Sequence, residues 1–177
     1  MDRRTLLAGM AFAAPALAAP STARAVTDAQ DAPDENKDAP PLGAKIVEQF
    51  AATLSAHDIK AFAALFAENY INHQVSAAAP TPPDAKEAKQ LTMASFAARL
   101  QGLPDLSVKI EAMVANDEQA AASFVYEGTH RGLYLGVEPT GRRLRFTSCD
   151  IFAIREGKIA EHWGMGDIAG VIAQLKG

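Results

Sequence analysis

Arg143-Leu-Arg-Phe-Thr-Ser-Cys-Asp-Ile-Phe-Ala-Ile-Arg155, then Glu156-Gly157, then Lys158-Ile-Ala-Glu-His-Trp-Gly-Met165 is the stretch whose reading decides the fold. Two runs that alternate in a two-residue period around a tight turn read as a β-hairpin. In the first run Phe146, Ser148, Asp150, Phe152 and Ile154 share one face, and Arg145, Thr147, Cys149, Ile151 and Arg155 share the other. That parity sets a carboxylate, Asp150, among aromatic and aliphatic neighbours. A buried aspartate is uncommon unless it is paired or functional. In the second run His162 shares a face with Gly164, and Trp163 takes the opposite one.

The strand period continues upstream. Ala120–His130 reads as a strand, and Leu106, Val108 and Ile110 alternate with Ser107, Lys109 and Glu111 ahead of an acidic Asn116-Asp117-Glu118 turn. From Arg131 to Arg143 runs a long loop holding a Pro139-Thr140-Gly141 turn. Before Gly102 the period is helical instead. Ile46, Val47, Phe50 and Leu54, then Ile59, Phe62, Leu65 and Phe66, recur at helical spacing, and Ser55-Ala-His-Asp58 breaks the run and can cap the second helix. Tyr70-Ile-Asn-His-Gln74 is short and partly polar, and Pro80, Pro82 and Pro83 precede a helix over about 84–100. A last helix over about 168–175 follows Asp167, a capping residue. Helices first and an antiparallel meander afterwards is the α+β pattern, with about three main helices on one face of a curved sheet of at least four strands.

The N-terminus has the anatomy of an export signal. Adjacent Arg3 and Arg4 precede an Ala-rich, weakly apolar Leu6–Ala14, and small-x-small sites end at Ala18 and Ala25. Paired arginines with a core of low hydrophobicity look like a bacterial twin-arginine signal, although Asp2 stands where Ser or Thr is usual. The expectation is cleavage after Ala18 or Ala25 and a mature protein in the periplasm or secreted. Residues 26–42 are acidic and rich in Pro and Ala, which reads as a disordered linker, and 43–177 is left as one domain with one core. The net charge of −4 divides into +2 for residues 1–25, −4 for the linker and −2 for the domain. A nearly neutral domain argues against nucleic acid as partner. The mature chain has no stretch suited to a membrane span, and its single cysteine, Cys149, allows no internal disulfide.

Several stretches now resemble one family. They are Gly128-Thr-His-Arg-Gly132, Leu135-Gly-Val-x-Pro139-Thr-Gly-Arg-Arg143, and Asp150-Ile-Phe-x-Ile154-x-x-Gly157-Lys-Ile-x-Glu161-His-Trp163, with Phe66-Ala-Glu-Asn-Tyr70-Ile-Asn-His73 in the helical half. From about Ala44 to the C-terminus the chain is similar to the SnoaL-like polyketide cyclases and ester cyclases, of the superfamily named for nuclear transport factor two. The resemblance implies a cystatin-like cone of bent strands closed by helices, with a mostly apolar cavity at its wide end. It also implies a homodimer packed through the sheet. In the characterised cyclases an essential acid/base aspartate follows the His-x pair, in the place that Gly164 holds here. A pocket Asn of the family is matched by Asn72, and a pocket His is matched in position by Asp150. The acid/base equipment of this chain is therefore either relocated or absent.

On that basis Asp150 and His162 are the candidate catalytic residues, and Asn72, His73, Tyr126, Phe146 and Phe152 are the candidate substrate-binding residues. The ligand expected is a small hydrophobic carbonyl compound. Cyclisation by aldol closure, isomerisation and hydration each need one group that takes and returns a proton in an apolar site, and a donor at the developing oxyanion. No metal or organic cofactor is required, and the four histidines lack metal-ligand spacing. The alternative is a non-catalytic small-molecule-binding protein of the same fold, for which Gly164 speaks. Structural roles stay open as well. Asp150 can bond a loop amide, Tyr70, Asn72 and His73 can cap a helix, His130 can be solvent-facing or structural, and Cys149 can be a packing thiol. Residues Ala77–Lys86 are expected to border the pocket mouth as a mobile lid.

Overall fold

The change of period near Gly102 divides the chain as the sequence suggests. In the computed structural model, which describes residues 39–74 and 85–177, the first half holds α1 (Leu42–Ser55), α2 (Ile59–Ala64), β1 (Phe66–Asn72) and α3 (Ala85–Gly102). The second half holds β2 (Ser107–Ala115), β3 (Gln119–Thr129), β4 (Arg143–Arg155), β5 (Lys158–Gly166) and α4 (Ile168–Lys176). The expected signal lies outside the described residues. So does most of the expected linker and lid.

Local chemistry accounts for the element ends. Asp58 accepts a hydrogen bond from the Ala61 amide at 2.8 Å, and Asp167 accepts one from the Gly170 amide at 2.8 Å, so both cap helices. Glu156 and Gly157 carry φ of 51° and 71°, the two left-handed residues that a two-residue hairpin turn of matching twist demands. On α1, Ile46, Val47, Phe50, Ala51 and Leu54 form the buried stripe. On α3 the buried stripe runs through Ala88, Thr92, Phe96 and Leu100, four residues apart.

The five strands form one open, curved sheet in the order β1-β5-β4-β3-β2. Pairing is antiparallel from β2 to β5, while β1 joins the edge parallel to β5, so the sheet is mixed. The fourth helix is short, and β1 is the strand that sequence period hid. Only Phe66 and Tyr70 are buried along β1, and a register shift between Phe66 and Ile71 breaks its alternation.

Phe50 sits at the centre of the core. Its ring lies 5.0 Å from Phe62, 5.7 Å from Phe96, 5.0 Å from Phe124 and 5.3 Å from Phe152, which ties three helices to β3 and β4. Such aromatic pairs add to the burial of the rings themselves, roughly 0.5–1.5 kcal/mol each. The core covers the sheet face that carries Phe124, Tyr126, Phe146, Asp150, Phe152 and His162, all buried. The long loop after β3 is pinned to this body. His130 is fully buried, and its Nδ1 accepts the Thr140 amide at 3.1 Å.

Candidate active site

Two adjacent strands bring a carboxylate and an imidazole together. Asp150 on β4 is paired in register with Gly164 on β5, and His162, two residues before Gly164, points to the same face. His162 Nε2 lies 2.7 Å from Asp150 Oδ1, and both side chains are buried. The other carboxylate oxygen, Oδ2, accepts the Ser148 hydroxyl at 2.5 Å. At the far side of the ring, Tyr70 Oη lies 3.2 Å from His162 Nδ1. With a neutral imidazole, the network assigns the phenol as donor to Nδ1 and the ring proton to Nε2, which donates to Asp150.

Burial pushes the Tyr70 hydroxyl up to about 12; Thr92 opposes this and the charge of Asp150 adds to it. Tyr126 is likewise pushed up to about 12, chiefly by burial and also by Asp150, with Arg99 acting the other way. Both phenols stay protonated through neutral pH and serve as donors. Tyr126 stacks in parallel on Phe146 at 5.1 Å, directly across the β3–β4 pairing. Thr92 extends the network to the surface, where Asn72 Nδ2 donates to its hydroxyl at 3.3 Å. Asn72 and Ser148 are half-buried, so the network reaches solvent near its ends while its centre is buried.

The candidate residues do not all meet. Asp150 and His162 bond directly, Tyr126 and Phe146 lie on the same face of the sheet, and Asn72 is the register partner of His162 on β1. Two of the candidates lie apart from this arrangement. His73 lies on the opposite face of the sheet, where its ring stacks on Trp163 at 4.3 Å and bonds Glu161 at 2.8 Å. The parity of β1 requires this, because Tyr70 and Asn72 take the inner face. Phe152 stacks on His162 at 5.1 Å and is wholly buried, with the Phe50 ring 5.3 Å away. Cys149 is exposed, not packed. Two depressions of about 300 and 420 Å³ lie elsewhere, one by Val114 and Ile151 and the other by Phe66 and Arg155.

Thr92, Tyr70 and Arg99 are the members that strand reading passed over. Their signal was a polar side chain at helical spacing within an otherwise apolar stripe, and a strand too short to show its period.

Residues 44–175 match the family of SnoaL-like polyketide cyclases. The chain belongs to that family. No curated protein matches it by sequence. Among solved structures, IdmH of Streptomyces antibioticus, named as a candidate polyketide cyclase, is 25% identical with a TM-score of 0.61 over 76% of this chain and 99% of its own. TsrD of Streptomyces laurentii is 24% identical with a TM-score of 0.63, over 76% of this chain and 94% of its own. AclR of Streptomyces galilaeus, named as a candidate hydroxylase, is 20% identical with a TM-score of 0.62, over 75% of this chain and 80% of its own.

In this SnoaL-like protein Gly164 acquires a physical reason. A Cβ at position 164 would stand 2.9 Å from Asp150 Oδ1 and 2.9 Å from both Cε1 and Nε2 of His162. Such contacts are shorter than packed atoms allow. The space in which any longer side chain at this position would begin is filled by the carboxylate–imidazole pair.

Proposed function

We propose that this SnoaL-like protein is an exported, cofactor-free acid/base enzyme of the cyclase, isomerase or hydratase type, acting on a small hydrophobic carbonyl compound. The observation that carries the reading is the buried 2.7 Å bond between Asp150 and His162 in the space above Gly164. It supports relocation of the acid/base group from position 164 to position 150. In an aldol closure the Asp150 carboxylate takes a proton from the carbon beside a carbonyl, and the enolate attacks a second carbonyl of the same molecule. The new alkoxide then takes the proton back from Asp150, so no atom is gained or lost. His162 holds the carboxylate through Nε2–H, and Tyr70 fixes the ring through Nδ1. The Tyr126 phenol is a donor for the developing oxyanion, a type of group worth about 10²–10³ in rate.

A second reading keeps one specific support. Both oxygens of Asp150 and both ring nitrogens of His162 have partners within the protein, which is how a structural polar network is satisfied. In that case the protein binds its ligand without turning it over. Mass spectrometry of what co-purifies from the native host supplies the ligand for the deciding assay. Asp150→Asn is expected to lower kcat on it by about two to four orders of magnitude with the fold retained. Wild-type turnover by Asp150→Asn would make Asp150 structural, and an inert wild type would leave the binding protein.

The signal anatomy of residues 1–25 supports export to the periplasm or beyond, with intact mass as the check; retention of Met1 in the bulk of the native protein would refute it. A homodimer through the sheet is part of the proposal too. Val114, Ala121, Ile151 and Trp163 are successive register partners on the outer face, and Val114, Ile151 and Trp163 are exposed. Contiguous exposed apolar side chains of this kind mark protein contact surfaces.

A further inference from the structure

Arg99 is a cation that the chemistry above leaves unused. It leaves the last turn of α3 and lies over three aromatic rings, with its guanidinium carbon 4.8 Å from the centre of Phe96, 5.0 Å from Tyr126 and 5.6 Å from Phe146. Its Nε donates to the Tyr134 hydroxyl at 3.1 Å and so ties the helix to the long loop. That bond uses one edge of the guanidinium. Among the described residues the two terminal nitrogens have no hydrogen-bond partner, and no carboxylate pairs with the group. Burial disfavours the charge, but Tyr134 and Tyr126, and Asp150 at longer range, outweigh it, so the pKa stands above the ordinary arginine value.

Aromatic faces offset part of the cost of desolvating a guanidinium, yet they cannot satisfy its N–H donors. A planar fork with two free nitrogens matches a carboxylate bidentately. The residue as a whole is half-buried. It also stands in line with the acid/base pair. Phe146, beneath Arg99, and Asp150 lie on one face of β4, four residues apart, a separation of about 13 Å along the strand. Ser148 and the stacked rings of Tyr126 and Phe146 occupy the interval.

We propose that Arg99 binds the carboxylate of the ligand, which makes the ligand a flat, unsaturated carboxylic acid that reaches from Arg99 to the Asp150–His162 pair. The far end of this assignment rests on the acid/base reading, whereas the anion clamp stands without it. A body on the order of 10 Å has the length to span this interval, that of a substituted aromatic acid. Arg99 is a binding residue here, and the proton transfers remain with Asp150.

The test is binding of trans-cinnamate and trans-cinnamamide, two probes of one shape that differ in charge, measured by calorimetry on the full chain. Cinnamate is expected to bind the wild type at least tenfold more tightly than the amide. Arg99→Gln should erase that preference and leave the amide unchanged, and Arg99→Lys should keep only part of it. Equal affinities in the wild type, no measurable cinnamate binding, or a preference that survives Arg99→Gln would each overturn the proposal. Should Arg99→Gln not fold, the wild-type pair and Arg99→Lys still decide. A charge preference in a protein that turns nothing over would keep the clamp and sink the enzyme reading alone.

Discussion

The two faces of the β4–β5 hairpin differ in a direction opposite to the ordinary rule. The inner face, closed by helices, carries Ser148, Asp150 and His162, joined by hydrogen bonds of 2.5 and 2.7 Å. The outer face carries Ile151, Trp163 and Met165, which are 50%, 38% and 78% exposed. Polar groups inside and apolar groups outside both cost free energy in a lone folded chain. The proposals above give each face its own occupant, a small molecule inside and a second copy of the chain outside. The strand period makes the two faces inseparable in sequence and independent in chemistry.

The sharpest way to break the inner half of this contrast is at Gly164. Gly164→Asp would drive a side chain into the Asp150–His162 pair and set a second carboxylate beside the first, so loss of turnover with destabilisation of about 3 kcal/mol is expected. Adding Asp150→His recreates the arrangement the family resemblance describes. The double variant should recover part of the loss, with a coupling of about 1–3 kcal/mol in chemical denaturation. Additive effects of the two changes would mean that position 164 is glycine for a reason unrelated to the pair.

A smaller effect tests whether the inner face is dry. Tyr70 and Tyr126, each raised to about 12, keep their protons in the folded protein after the unfolded chain has begun to lose its own near 10. The unfolded state then binds fewer protons, so stability falls as pH rises from about 10 to about 12, by on the order of 2 kcal/mol for each phenol. Below pH 10 the two contribute no slope. Tyr70→Phe and Tyr126→Phe should each flatten the alkaline limb, read from denaturation midpoints, and a limb of unchanged steepness in both would show that these hydroxyls are hydrated.

Sequence period reached the hairpin because β4 and β5 are long, alternate cleanly and are closed by a turn with its own signature. It missed β1, whose few buried residues straddle a register shift, and without a strand there was no parity to separate His73 from Asn72. Parity placed Phe152 on the correct face, but depth along a face depends on what packs above it, and Phe50 does so from α1. Thr92 and Arg99 escaped for another reason. On a helix that is polar on most sides, a polar residue within the buried stripe and another beside it look like solvated positions until Phe96 and Leu100 are seen to be covered.

The outer half of the contrast gives the smallest effect on folding and a clear one on assembly. Ile151 lies mid-row between Ala121 and Trp163 in register, and Met165 lies one pair along, opposite the exposed Cys149. A lysine at 151 or 165 would point into solvent in a monomer, and exposed strand substitutions of that kind usually change stability by no more than about 0.5 kcal/mol. In a dimer closed through this face each lysine would be a charge without a partner in a desolvated contact. Ile151→Lys and Met165→Lys should therefore shift the sedimentation of the protein from dimer to monomer while the monomer's unfolding free energy stays nearly constant. Cys149→Ser, which leaves the apolar row intact, should not. If both lysine variants sediment as the wild type does, the exposed row is not an interface between copies of this chain, and the asymmetry of the two faces needs a partner of another kind.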